Sequence, residues 1–322
     1  MVVVDRTAEQ YRALTQACGL VDRSERGKLA LTGSEVKAFL QGQVSNDVEA
    51  LKPGEGCYAT FLTPKGKMLG DLRVIDTGDE VWLDTERVAL QALFTMIRKF
   101  KLGMDVELHK RTLQQALLSL VGPDARAIAG AEDLPDREHA NRRAEIAGVP
   151  VLEIVTDTGI DLVCAAEDSG RLAGTLLERG AVAVSEDDAE VVRVERGRPR
   201  YGIDMDEKTI PEEAGLNDRA VSFEKGCYVG QETVARLHWR GKPNRHLRGL
   251  RLSAPATTGD ELRLGEKVVG RVGTAVVSPV HGPIALALIR REANPGDRLT
   301  VGDGGVEAEV VELPFAAESD PA

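Results

Sequence analysis

The residues most suited to chemistry crowd into one stretch, 193–240. Cys227 sits in the run Lys225-Gly226-Cys227-Tyr228-Val229-Gly230-Gln231-Glu232. Gly226 and Gly230 permit a tight turn and close backbone approach by a ligand. A helix start is predicted at Gln231, and a thiol near a helix N-terminus with Lys225 beside it can ionise near neutral pH. The alternative is a buried structural cysteine, which is the expectation for Cys18, Cys57 and Cys164 in their ordinary patterned segments. Glu195 lies just before Gly197-Arg198-Pro199. Its carboxylate could accept two hydrogen bonds from an amidine-like edge, as in a pterin or guanine ring. A surface ion pair with Arg193 or Arg196 is the alternative. The histidines are scattered without H-x-x-x-H spacing and no two cysteines form a C-x-x-C pair, so no metal site is expected. No G-x-G-x-x-G follows a strand pattern, and no P-loop lysine motif is present.

The elements that position these residues read as α+β. Residues 7–18 have helical spacing, and Lys28–Thr32 reads as a strand ending at Gly33. Ser34 is the expected N-cap of a helix through Phe39, Leu40 and Gln41. Tyr58–Leu62 and Lys67–Ile75 are predicted strands joined by a turn at Pro64-Lys65-Gly66. Residues 87–101 form an amphipathic helix with Leu90, Leu93, Phe94, Ile97 and Phe100 on one face, followed by a strand over 102–108. Residues 113–121 read as a strand, and 131–145 as a polar loop or weak helix. Val149–Thr156 and Gly159–Ala165 alternate as a hairpin, and 167–178 and 186–195 are helical. Antiparallel hairpins mixed with helices argue against a doubly wound parallel sheet. After Arg240-Gly241-Lys242-Pro243, six short strands separated by Gly and Pro predict a small closed barrel. The expected division is therefore 1–241 and 242–322.

Composition sets the outer limits. The chain has 322 residues, 41 basic and 52 acidic side chains, and a formal charge of −11. That charge argues against a dedicated nucleic-acid protein. It is unevenly spread: residues 1–192 carry −10, residues 193–251 carry +4 and residues 252–322 carry −5. The positive segment suggests a small anionic ligand, with Arg236 and Arg240 in its densest part; a solvated face is the alternative. No apolar run approaches the ~18 residues of a membrane span, and MVVVDRTAEQ does not read as a secretory signal. A cytoplasmic chain without membrane partners is the expectation.

The 193–232 stretch carries a family resemblance. Arg193-x-Glu195-x-Gly197-x-Pro199-x-Tyr201-Gly202-x-Asp204, with Pro211-x-Glu213-Ala214-Gly215-Leu216, resembles the folate-binding region of the glycine-cleavage T-protein family (GcvT). The run around Cys227 is similar to the signature of the YgfZ branch, whereas T-proteins usually lack that cysteine. Gly19–Ser24, Phe39-Leu40 and Ser45-Asn46-Asp47-Val48 echo the family more loosely.

The resemblance implies intertwined α/β subdomains around a central channel with a C-terminal β-barrel, and tetrahydrofolate or a derivative as ligand. It implies that Glu195 holds the pterin edge and that Tyr201, Arg236 and Arg240 line or face the channel. One step departs from the family: T-proteins carry Asp-Asp-Leu where this chain has Gly70-Asp71-Leu72. Three functions follow as expectations. The first is a folate-binding accessory protein of iron–sulfur cluster assembly or repair, acting through Cys227 with client enzymes or assembly factors as partners. The second is a folate-dependent aminomethyl or one-carbon transferase with Asp71 as catalytic carboxylate. The third is an RNA binder linked to tRNA modification, using the basic strip and Trp239.

Overall fold

The computed structural model describes residues 6–316. In chain order its first elements are α1 (Arg6–Gln16), β1 (Gly19–Asp22), β2 (Gly27–Thr32), α2 (Val36–Gln43), β3 (Glu55–Leu62), β4 (Met68–Asp76), β5 (Val81–Thr85), α3 (Leu90–Phe100), β6 (Glu107–Lys110) and β7 (Gln115–Val121). There follow α4 (Ala125–Ala129), β8 (Asn141–Ile146), β9 (Val149–Thr156), β10 (Gly159–Ala165), α5 (Ser169–Glu178), β11 (Val182–Ala183), α6 (Glu186–Glu195), α7 (Asn217–Ala220) and α8 (Gln231–Arg240). The last elements are β12 (Arg245–Leu252), β13 (Glu261–Leu264), β14 (Lys267–Ser278), β15 (Gly282–Arg290), β16 (Arg298–Val301) and β17 (Val306–Val311). The chain forms two compact units: Met1–Ala189 with Asp218–Gln231, and Glu190–Asn217 with Glu232–Ala322.

The first unit contains two sheets, ordered β11-β1-β7-β10-β9-β8 and β3-β4-β5-β2-β6. They pack face to face because successive strand side chains point to opposite sides. Ala30, Ile75 and Trp82 of the five-stranded sheet meet Leu117, Leu152, Ile154 and Val163 of the six-stranded one. The alternate residues Leu118, Leu120, Ile160 and Leu162 face outward onto Leu172 and Leu176 of α5. On the far side of the five-stranded sheet, α3 buries Leu93, Met96 and Ile97 against β2 and β4.

The second unit is built on a closed six-stranded barrel, β12-β15-β14-β13-β16-β17. Leu250, Leu262, Val272, Ala285, Ala287, Ile289 and Val310 fill it. Closure removes the sheet edges that short strands would otherwise leave open. Val194 of α6 packs with Leu247, Ile284, Leu286 and Phe315 on the barrel's outer wall, which fixes the end of α6 and with it Glu195.

The α+β class and the barrel stand as expected; four local expectations do not. Ser34 does not cap α2: its N–H and hydroxyl both donate to Asp105, at 2.8 and 2.7 Å, and Glu35 occupies the cap position with its carboxylate turned to the Asp105 N–H, not to the helix. Phe94 and Phe100 fall outside the buried stripe of α3, Phe100 being 46% exposed, because the buried positions are Leu93, Met96 and Ile97, with Leu90 half-buried against Gly27 of β2. The strand expected over 102–108 is confined to Glu107–Lys110, with Leu102 in an exposed turn. The segment 131–145 is no simple loop, since β8 begins at Asn141 and pairs with β9.

Candidate functional site

Asp71 lies on β4, in the hairpin that closes through Thr63–Lys67 backbone bonds of 2.8 Å. The register sets Thr60 opposite Asp71 and Tyr58 opposite Arg73, so Tyr58, Thr60, Asp71 and Arg73 share one face. Tyr58 reaches diagonally and its phenol donates to the Asp71 carboxylate. Asp71 is buried, and burial raises its pKa; the Tyr58 hydrogen bond lowers it, nearby Glu86 raises it and Arg26 lowers it. The result is about 6, so the carboxyl changes protonation close to neutral pH.

A buried ion network backs this pair. Arg26 pairs with Asp84 at 3.0 Å and with Glu86. Arg73 pairs with Asp84 and with Asp161, the latter at 2.6 Å, and Ser119 donates to Asp161 at 2.6 Å. Burial alone would raise the Asp84 pKa, but the two guanidiniums overcome it and hold the group at about 2. Such paired buried ions fix geometry, since removing one member leaves the others uncompensated.

The segment 218–231 returns to the same unit and completes the surroundings of Tyr58. Ser45 donates to the Ala220 carbonyl at 2.6 Å, and Asn46 Nδ2 donates to the carbonyls of Tyr58 and Arg219 at 2.8 and 3.2 Å. These bonds set the Arg219 guanidinium 5.4 Å from the Tyr58 ring centroid, where it also pairs with Glu138 at 2.5 Å. Next to Glu138, whose carboxylate lies 3.8 Å from its Nδ1, His139 is buried with φ +70° and no hydrogen-bond partner on either ring nitrogen; burial drives its pKa to about 3, so it is neutral.

Gly70 precedes Asp71 on β4 and has φ +158°. Position 70 points to the face opposite Asp71. A Cβ there would lie 2.6 Å from Phe61 Cε1 and 2.7 Å from Ala89 Cβ, so the chain has filled that space with its own apolar packing. Asp71 lies on the Tyr58 side.

The Lys225–Glu232 run is a clamp. The Lys225 ammonium is buried and donates to the carbonyls of Gln41, Val44 and Asn46 at 2.6, 2.8 and 2.8 Å, which uses all three of its donors. These carbonyls lie at or just past the C-terminal end of α2, where intrahelical partners run out. Tyr228 is buried with its ring centroid 5.0 Å from the same ammonium. Gly230 has φ +87°, and a Cβ on it would meet the Thr63 carbonyl oxygen at 2.7 Å. Gly226 by contrast borders open space. Between these anchors Cys227 is exposed, whereas burial pushes the thiols of Cys18 and Cys57 to about 12 and that of Cys164 to about 11. Gln231 and Glu232 open α8.

In the second unit, Glu195 ends α6, and its carboxylate accepts from Ser278, whose oxygen also receives the N–H groups of Val280 and His281 at 3.0 and 2.9 Å. Arg193 is committed to Glu190 and Asp204, at 2.7 and 2.8 Å. Tyr201 is buried and bridges to Met205. Arg236 and Arg240 are exposed on α8.

Of the sequence-selected residues, Asp71 and the Lys225–Gln231 run belong to the first unit, where Asn46 bonds both Lys225 and Tyr58. Glu195, Tyr201, Arg236 and Arg240 belong to the second. Sequence reasoning missed Tyr58, Arg26, Glu86 and Arg219. Tyr58 was within reach, because the register of the predicted hairpin puts it diagonal to Asp71; Arg219 was not, because only the long return of 218–231 brings it there.

Two family models match the chain. The GCVT N-terminal domain covers residues 3–225 and the glycine cleavage T-protein C-terminal barrel domain covers residues 245–316. An aminomethyltransferase of Synechococcus sp. (strain RCC307) is 32% identical over 95% of this chain and 89% of its own length. A chloroplastic protein of Arabidopsis thaliana is 28% identical over 98% of this chain and 76% of its own length. The crystal structure of the glycine cleavage system aminomethyltransferase T of Bartonella henselae superposes with a TM-score of 0.85, covering 97% of this chain and 90% of that one at 22% identity, which shows a shared fold.

Proposed function

This chain belongs to the glycine cleavage T-protein family, and we propose that it is a folate-dependent transferase of an aminomethyl or related one-carbon group. The observation that carries the proposal is the Tyr58–Asp71 pair: a buried carboxyl with a pKa of about 6, held by a phenol and flanked by Arg26 and Glu86. A group that titrates there can take a proton from, or return one to, an amine at neutral pH. The donor set therefore suits tetrahydrofolate, which supplies the nucleophilic amines that accept the carbon. In this reading Asp71 orients and deprotonates the reacting amine, Tyr58 keeps the carboxylate aimed, and the Arg26–Asp84–Arg73–Asp161 network keeps β4 and β5 from shifting under the charge. Glu195 is proposed to bind the pterin edge, on the strength of the family pattern.

A second reading keeps Cys227 as a working thiol in iron–sulfur maturation, as the likeness of its run to the YgfZ branch suggests. It rests on the exposure of Cys227 in a loop anchored on both sides. The transferase reading accounts for more of the buried polar architecture and agrees with the name of the Synechococcus relative.

Calorimetric titration with tetrahydrofolate tests the shared premise of both. Binding in the wild type, weakened about tenfold or more in Glu195→Ala, is the expected result. Absence of binding in the wild type would remove folate from either account.

A further inference from the structure

The first unit holds a basic groove at the edge of its five-stranded sheet. Residues 87–111 carry six basic and two acidic side chains inside an otherwise acidic unit. β6 ends the sheet, so among the described residues no strand pairs with its outer side. Four consecutive β6 residues, Glu107, Leu108, His109 and Lys110, line one cavity of about 560 Å³ together with Phe94, Arg98 and Lys101. Strand side chains alternate between faces, so a cavity touching four in a row runs along the strand's edge. A groove of about 270 Å³ continues from Phe94 and Arg98 along α3 to Thr95 and Lys99.

The cations of this groove are left unneutralised. Arg98 and Lys110 stand 5.7 and 5.0 Å from the Phe94 ring centroid, and no carboxylate pairs with either among the described residues. Lys101 donates only to the Val106 carbonyl, at 2.8 Å. Elsewhere in the unit Arg23, Arg26, Arg73, Arg111 and Arg142 all have carboxylate partners. Beside the groove Phe100 and Leu102 are 46% and 81% exposed.

We propose that this groove docks an extended acidic segment of a partner protein, added as a strand along β6. The open edge supplies backbone donors and acceptors for an added strand. The unpaired Arg98, Lys101 and Lys110 supply charge complementarity for its carboxylates, which steers encounter and selects the partner. Phe94, Phe100 and Leu102 supply apolar contact for the intervening side chains.

The test uses the full chain and the peptide acetyl-(Glu-Val)3-amide, with acetyl-(Lys-Val)3-amide as control. Amide hydrogen exchange is followed over residues 106–111 as peptide is added at low salt. The acidic peptide is expected to slow exchange at 107–110 saturably, and the basic one to leave it unchanged. The double variant Arg98→Glu/Lys110→Glu changes two exposed side chains, so it is expected to fold with an unchanged melting temperature and to bind about tenfold or more weakly. Protection outside β6, affinity indifferent to the charge reversal, or no protection at low salt would overturn the proposal and leave Lys110 as a guard against edge pairing. Displacement of tripolyphosphate from these residues without added β6 protection would also overturn it, in favour of a small-anion site.

Discussion

Tyr58 donates its phenolic hydrogen to Asp71 although the two are not register partners: Tyr58 stands opposite Arg73, and Asp71 opposite Thr60. The diagonal reach fills the corner where burial works against the carboxylate's charge. The bond is one of three influences, with Arg26 and a backbone hydrogen bond, that keep the Asp71 pKa from rising further. Removing the donor destabilises the ionised form. Tyr58→Phe is therefore expected to shift the acidic limb of the rate profile to higher pH, with the rate well above that limb reduced much less than in Asp71→Asn. A pH–rate profile from 5 to 9 checks it.

The same shift has a cost in stability. The folded pKa of Asp71, about 6, lies above the ordinary aspartate value of 3.8, so ionisation disfavours the fold. The penalty grows as pH rises from about 4 to 6 and is constant above that. Asp71→Asn is expected to raise the melting temperature at pH 8 and to change it much less at pH 4. A carboxylate kept against stability is what a working site shows.

Gly70 cannot carry an aspartate without rebuilding the face beneath α3. Gly70→Asp drives a Cβ into Phe61 and Ala89, at an expected cost of about 3 kcal/mol in chemical denaturation. It should add nothing to transfer activity.

The signature glycines divide by geometry. Gly230→Ala meets the Thr63 carbonyl and an unfavourable φ, and Lys225→Met leaves three carbonyls without their donor. Each is expected to destabilise by about 2–3 kcal/mol. Gly226→Ala meets nothing and should be within about 0.5 kcal/mol of wild type. Urea unfolding of the three variants separates the clamp from any chemical role of the run.

Much of this architecture could be read from the chain alone, and the misses have physical causes. The β3–β4 hairpin and the barrel strands follow from alternation and turn residues. β8 was hidden because it is the edge of its sheet: Arg142, Arg143 and Glu145 on its partly or fully exposed positions erase the apolar pattern. Ser34 read as a cap because its true partner, Asp105, lies 71 residues away. Glu195 and Cys227 stand out in the sequence because Gly and Pro mark their surroundings. Lys225 read as an activating charge for Cys227, whereas its three donors are spent on carbonyls at and just past the end of α2, which local sequence cannot reveal.

The central claim, that Asp71 serves folate-dependent one-carbon transfer, is tested most directly by transfer from an aminomethylated carrier protein to tetrahydrofolate across the pH range. The predicted result is methylenetetrahydrofolate formation that rises through an inflection near pH 6 and falls by a factor of about 10²–10⁴ in Asp71→Asn. Transfer that persists undiminished in Asp71→Asn, or no transfer by the wild type at any pH despite bound folate, would contradict it.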